Sequence, residues 1–184
     1  MPSDLPARAL EAAFRPRVFA MHLPTYGAAR VTVAKPREEM VRLIVNYERA
    51  VAHLPQTELP VRHFYMEGRL ARHVYAREIS IGAGVAAVGR VHKYECINII
   101  SKGRVLVASP EGVHEIAAPF TWVSAPGSKR ALYVLEDLIW TTIHLTDELD
   151  AARIKDDLGV VSYEEYRSFC ENLALEGAGA PQDP

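Results

Sequence analysis

A mainly β chain, folded as an antiparallel sandwich or barrel with helices before and after it, is what this sequence predicts. Three observations carry the prediction. From Pro60 to Leu145 the chain breaks into short runs rich in β-branched and aromatic residues, divided by Gly and Pro. Nothing between 61 and 145 is long enough to form the helical crossover that a parallel sheet requires. On either side of this region the apolar spacing is that of a helix.

Residues 1–36 carry prolines at 2, 6, 16, 24 and 36 and no sustained period, which predicts an extended arm with a short helix across Ala7–Phe14. Pro36 suits a first helical turn. The helix it opens runs to about His53, because Met40, Leu43, Ile44, Tyr47 and Val51 share one helical face. Pro55 and Pro60 end that unit, which spans 37–55 and packs on the barrel. Strands follow near 61–66, 73–81, 85–92, 95–101, 104–109, 113–117, 120–124, 130–135 and 138–145, so that 60–146 forms the barrel. Turn signals fall between them at Gly82-Ala83-Gly84, Ser101-Lys102-Gly103, Pro110-Glu111-Gly112, Ala118-Pro119, Ala125-Pro126-Gly127 and Glu136-Asp137. Two helices are expected over 147–176. Asp147 and Glu148 favour the positive end of the first, and Gly159 closes it. Ser162 with Glu165 forms a capping box for the second. The end, 177–184, is expected to be disordered.

The 184 residues are 49% hydrophobic and 24% charged, which suits one packed domain and excludes wholesale disorder. Lys and Arg number 21 against 23 Asp and Glu, a balance that argues against a nucleic-acid partner. No window approaches the ~18 apolar residues of a membrane span, and Asp4, Glu11 and the early prolines spoil a signal peptide. Two cysteines, Cys96 and Cys170, make no disulfide framework. The expectation is a cytoplasmic protein with no membrane partner. Charge is uneven: residues 1–36 hold five basic side chains against two acidic, and residues 147–184 hold ten acidic against three basic. These ends either attract each other, within or between chains, or are solvated faces. Gly-rich phosphate loops, nucleophile elbows, Cys-x-x-Cys and His-Glu-x-x-His are absent from the sequence.

The segment from Gly82 through His92, Glu95 and Cys96 to Gly103 resembles the first motif of the cupin superfamily, and Phe120–Arg130 resembles the second, with its Pro126-Gly127 turn. Tyr75-Ala-Arg77-Glu78-Ile79, His92-Lys93, Lys129-Arg130 and Trp140-Thr141-Thr142-Ile143-His144 are similar to elements of small cupin-like proteins of unknown function found in phage and prophage genomes. The resemblance covers about half the chain, from Arg62 to Thr146, and implies a cupin-type jelly-roll barrel. It also implies a homodimer. The usual ligand set of the superfamily does not transfer whole. Arg90 stands in place of the first His if His92 is the second, Glu95 or Cys96 stands for the Glu, and Arg130 falls where the third His belongs.

Three readings of function remain. In the first, the barrel binds a small anionic ligand, a metabolite or nucleotide-like molecule. Lys129 and Arg130 anchor the anion, Tyr133 and Trp140 offer stacking surfaces, and His92 with Glu95 supplies acid and base. Against this, Lys129 and Arg130 also read as a solvated turn, or Arg130 as a partner of Glu78 or Glu136. In the second, His92, Glu95, Cys96 and His144 hold one divalent metal ion (Fe, Zn, Mn or Ni) for an oxygenase or isomerase. Strand alternation turns Glu95 away from His92 and Cys96 unless a bulge intervenes. In the third, the fold is a scaffold for interaction or assembly. His63 and His73 flank the first strands within approach of the pocket, where each reads more readily as structural.

Overall fold

The computed structural model of the chain describes residues 28–67, 73–148 and 150–178. The helix expected across 7–14 and the final residues from 179 lie outside the described residues. The architecture is mainly antiparallel β, as predicted. Strand β1 (Ala28–Val33) is followed by helix α1 (Arg37–Val51), then β2 (Val61–Met66), β3 (His73–Ile81), β4 (Ala86–Val88), β5 (Val91–His92), β6 (Cys96–Ser109), β7 (Gly112–Ala117), β8 (Phe120–Ser124) and β9 (Ala131–Thr146). Helix α2 (Ala151–Leu158), strand β10 (Gly159–Val160) and helix α3 (Tyr163–Ala178) complete the chain.

The two long strands shape the molecule. In the main sheet the order is β1-β7-β6-β9-β3-β2, with β4 joined to β9 and β8 to β6. The first half of β6 pairs with β8 and with the second half of β9, and the second half of β6 pairs with β7 and the first half of β9. Register shifts between Ile100 and Val105 bend this central pair. The expected breaks at Ser101-Lys102-Gly103 and Glu136-Asp137 are therefore bulged bends inside continuous strands, since a glycine within a strand serves a bulge as readily as a turn. Gly103, at φ +89°, lies so close to the Asp137 carbonyl that a Cβ would sit 2.3 Å from its oxygen.

Other differences have similar local causes. The expected strand 85–92 is split into β4 and β5 around Gly89, whose N–H donates to the Arg130 carbonyl at 2.8 Å. Residues 28–33, expected as part of an extended arm, form an edge strand on β7. Helix α2 starts later than expected, with Asp150 Oδ1 accepting from the Ala152 N–H at 2.9 Å. The capping box at α3 forms: Ser162 Oγ accepts from the Glu165 N–H, and the Glu165 carboxylate accepts from the Val161 N–H.

Alternation along β6 and β9 makes two apolar layers. Ile81, Ile100, Val105, Val107, Ile116, Leu132, Val134, Leu138 and Trp140 fill the interior. On the opposite face Ala108, Val113 and Ala131, with Leu106 and Tyr133, receive Met40, Ile44 and Tyr47 of α1. The C-terminal segment closes over β5: His92 pairs with Gly159 and Val91 with Val160. Arg90 Nη1 donates to Asp156 Oδ1 at 2.6 Å and to the Gly159 carbonyl at 3.0 Å.

Candidate functional site

Register places the interior polar residues. Arg77 of β3 lies opposite Thr142 of β9, Thr142 opposite Asn98 of β6, and Asn98 opposite Trp122 of β8. The next interior row is Ile79, Trp140, Ile100 and Phe120, from the same four strands. On the other side Tyr75 faces His144, and Cys96 faces Ser124. Four strands thus deliver polar groups to one end of the interior, and the turn Ala125–Gly127 brings Arg130 in among them.

Arg130 is 8% exposed. Its Nη2 donates to Ser124 Oγ, and its guanidinium carbon lies 5.8 Å from the Trp122 ring centre and 5.9 Å from that of Trp140. Contacts of this kind contribute about 1–2 kcal/mol when desolvated. The indoles are fixed in turn, because Trp140 Nε1 donates to Asn98 Oδ1 at 3.3 Å while Asn98 Nδ2 donates to Ser124 Oγ at 2.5 Å. Among the described residues no carboxylate makes an ion pair with Arg130 or with Arg77. Glu78 pairs with Arg62 instead, and Glu136 with Arg104. Burial lowers the Arg130 pKa, yet a guanidinium stays charged in proteins.

A cavity of about 200 Å³ opens beside this group. Arg77, Arg90, His92, Arg130, Trp140 and Thr142 supply its polar and aromatic lining, and no acidic residue lines it among the described residues. His92 Nδ1 is 3.2 Å from Cys96 Sγ, and the His92 and His144 rings are 5.5 Å apart. Burial, then the charge of Arg130, holds His92 down to about 3, and the same causes hold His144 down to about 4. Both imidazoles are neutral near pH 7. Burial also raises the Cys96 thiol. Tyr75 connects this pair outward, with its hydroxyl 2.7 Å from His63 Nδ1.

The structure separates residues that the sequence reading grouped. Arg130, Trp140, His92, Cys96 and His144 come together. Lys129 does not join them: it is 2% exposed, and its Nζ donates to Glu48 at 2.7 Å and to the Val161 carbonyl at 2.8 Å. Tyr133 packs on the α1 side with Tyr47 and Met40. Both corrections follow from period-2 alternation, which sends Lys129, Ala131 and Tyr133 to one face and Arg130, Leu132 and Val134 to the other. Glu95 is exposed, so it is no acid–base partner for His92. Among the described residues no group of three or more His, Cys, Asp or Glu is arranged to hold a metal ion. The guanidinium of Arg130 beside His92 and His144 also repels a cation, so these residues do not fit the expected Fe, Zn, Mn or Ni ion. Arg77, Asn98, Trp122 and Ser124 were missed. The alternation of β8, Phe120-Thr-Trp122-Val-Ser124, carried the signal for two of them.

No protein-family model matches the chain, and no curated protein matches it. Solved structures similar to it include a cupin 2 domain-containing protein from Halorhodospira halophila, at 12% identity over 66% of this chain and 82% of that chain, with a TM-score of 0.43. A Cupin 2 conserved barrel domain protein from Salinispora arenicola is similar at 17% identity over 64% and 91%, with a TM-score of 0.39. The cupin domain of Schizosaccharomyces pombe Cnp3 is similar at 12% identity over 58% and 80%, also with a TM-score of 0.39. These neighbours are cupin-fold proteins, and at such scores the likeness bears on no activity. Among the described residues no helix is long and apolar enough to cross a membrane.

Proposed function

We propose that this chain is a cupin-type barrel protein of the cytoplasm that binds a compact anionic metabolite in the cavity bounded by β3, β4 and β9. One observation carries the reading: Arg130 is buried, set over two indole rings that touch each other, and paired with no carboxylate among the described residues. A buried charge is costly unless compensated, so its persistence points to a compensating anion from outside the chain. Arg77 adds a second cation, Thr142 a hydroxyl, and His92 a neutral hydrogen-bonding ring. At about 200 Å³ the cavity lies below the usual ~300–1,000 Å³ of ligand sites, which favours a small carboxylate or phosphate over a whole nucleotide. His92, with a pKa near 3, serves as a hydrogen-bond group and is too weak a base to take a proton near pH 7. Titration with inorganic phosphate and small carboxylates tests this. Arg130→Gln should remove binding and Arg77→Ala should weaken it at least ten-fold. Undiminished affinity in both variants would overturn the reading.

A second reading, assembly as a homodimer, draws on the outer face of the same sheet. Val123, Ile97, Ile143, Ala76 and Phe64 stand in one register row across five strands. Val123 is 63% exposed and Phe64 49%. Ile97→Lys with Val123→Lys should halve the mass seen by light scattering. A parent protein that is already monomeric would end this reading.

A further inference from the structure

Arg130 also forms part of the wall of a second, larger cavity, of about 300 Å³, between β7 and β8. Its character differs from that of the first. Val107, Ile116, Phe120 and Trp122 make its lining mainly apolar and aromatic, and Ser109, Ser124 and Ser128 add hydroxyls. Glu111, which also lines it, pairs with Arg37 at 2.9 Å and attracts the Arg130 guanidinium without forming an ion pair with it. His114, from the same wall, has its pKa lowered by burial. Among the described residues no lysine and no second arginine lines this cavity, so Arg130 is the cation they supply to it.

A guanidinium carries five N–H donors in a planar fork. One is directed to Ser124 Oγ, and no other protein acceptor holds the rest among the described residues. The cation therefore has donors left for a ligand in either cavity, and the aromatic wall supplies a surface for a planar ring.

We propose that the larger cavity is a second ligand site, for a compact aromatic carboxylate whose anion meets Arg130 and whose ring packs among Val107, Ile116, Phe120 and Trp122. Its ligand class differs from that of the smaller cavity, where two further arginines and a histidine favour a strongly hydrophilic anion. Because both sites draw on one guanidinium, filling one weakens binding at the other.

Calorimetric titration of the full chain with benzoate, and separately with inorganic phosphate, tests the assignment. Ile116→Phe, which fills the larger cavity, should lose benzoate binding at least ten-fold and keep phosphate binding. Arg77→Ala should do the reverse. Should Ile116→Phe fail to fold, Phe120→Leu decides, with benzoate binding about five-fold weaker for the loss of one aromatic contact. Saturating phosphate should weaken benzoate binding. The second site is overturned if benzoate does not bind, if Phe120→Leu leaves its affinity unchanged, or if Arg77→Ala abolishes benzoate and phosphate binding alike. Benzoate binding with the expected variant pattern but no phosphate binding would instead overturn the smaller anion site and leave the larger one standing.

Discussion

Lys129 and Arg130 are adjacent, cationic and buried, and their surroundings are opposite. Lys129 faces α1 and the start of α3, where Glu48 and the Val161 carbonyl hold its ammonium. Arg130 faces the interior, where its protein partners are one hydroxyl and two indole faces. The contrast separates two uses of a buried cation: one with its counter-charge ties elements together, and one without is the kind of group on which the proposed anion site rests.

The largest expected effect breaks the structural side. Lys129→Met leaves Glu48 and the Val161 carbonyl without their donor. It should lower stability by about 3 kcal/mol in chemical denaturation, toward the low end for a broken buried pair because Glu48 is partly exposed. Anion affinity of the folded fraction should be unchanged. A loss of affinity as large as that of Arg130→Gln would dissolve the distinction between the two residues.

Next comes the turn that carries both. Gly127 has φ +76°, and a Cβ there would lie 2.9 Å from the Tyr166 ring. Gly127→Ala should cost about 1–2 kcal/mol, through the left-handed backbone conformation and this contact. A denaturation midpoint equal to that of the parent would show that the turn adapts.

On the site side the sign reverses. Arg130→Met removes a buried charge that forms no ion pair among the described residues and should raise stability by about 1 kcal/mol while abolishing phosphate binding. A strong destabilisation would mean that Arg130 is held for structure, as Lys129 is.

The last test concerns pH. His92 and His144 protonate in the folded chain near 3 and 4, against 6.5 for an ordinary imidazole. Between these values the unfolded state binds more protons, so this contribution to stability is present above about pH 6.5 and is lost as pH falls. The carboxylates add their own acid sensitivity, so the variant comparison carries the test. His92→Gln and His144→Gln should each reduce the pH slope of the unfolding free energy, read from urea titrations between about pH 6.5 and pH 4.5, by up to one proton. Parallel declines in parent and variants would count against buried neutral histidines.

Much of this was legible along the chain. The β-branched runs from Val61 to Leu145 announce the strands, Met40, Ile44 and Tyr47 announce the face of α1, and Ser162 with Glu165 announces the start of α3. Arg130, Trp140, His92 and His144 were recognisable as site candidates. Applied to β9, the alternation rule alone would have sent Lys129 and Tyr133 away from Arg130. The strand at Ala28–Val33 was obscured by the prolines around it, although Val31-Thr32-Val33 has strand chemistry. Gly103 and Asp137 read as turns because a bulge and a turn demand the same residues.

The sequence by itself determined the strand-rich class, the flanking helices and the absence of the common catalytic motifs, because these depend on near neighbours and on period. Only the tertiary structure decided that Arg77, Thr142, Asn98 and Trp122 stand in one row, that Glu78 and Glu136 are taken by other arginines, and that no carboxylate among the described residues forms an ion pair with Arg130. Pairing register joins residues tens of positions apart, and a charge's environment is set by what that register brings near it and how much water it excludes.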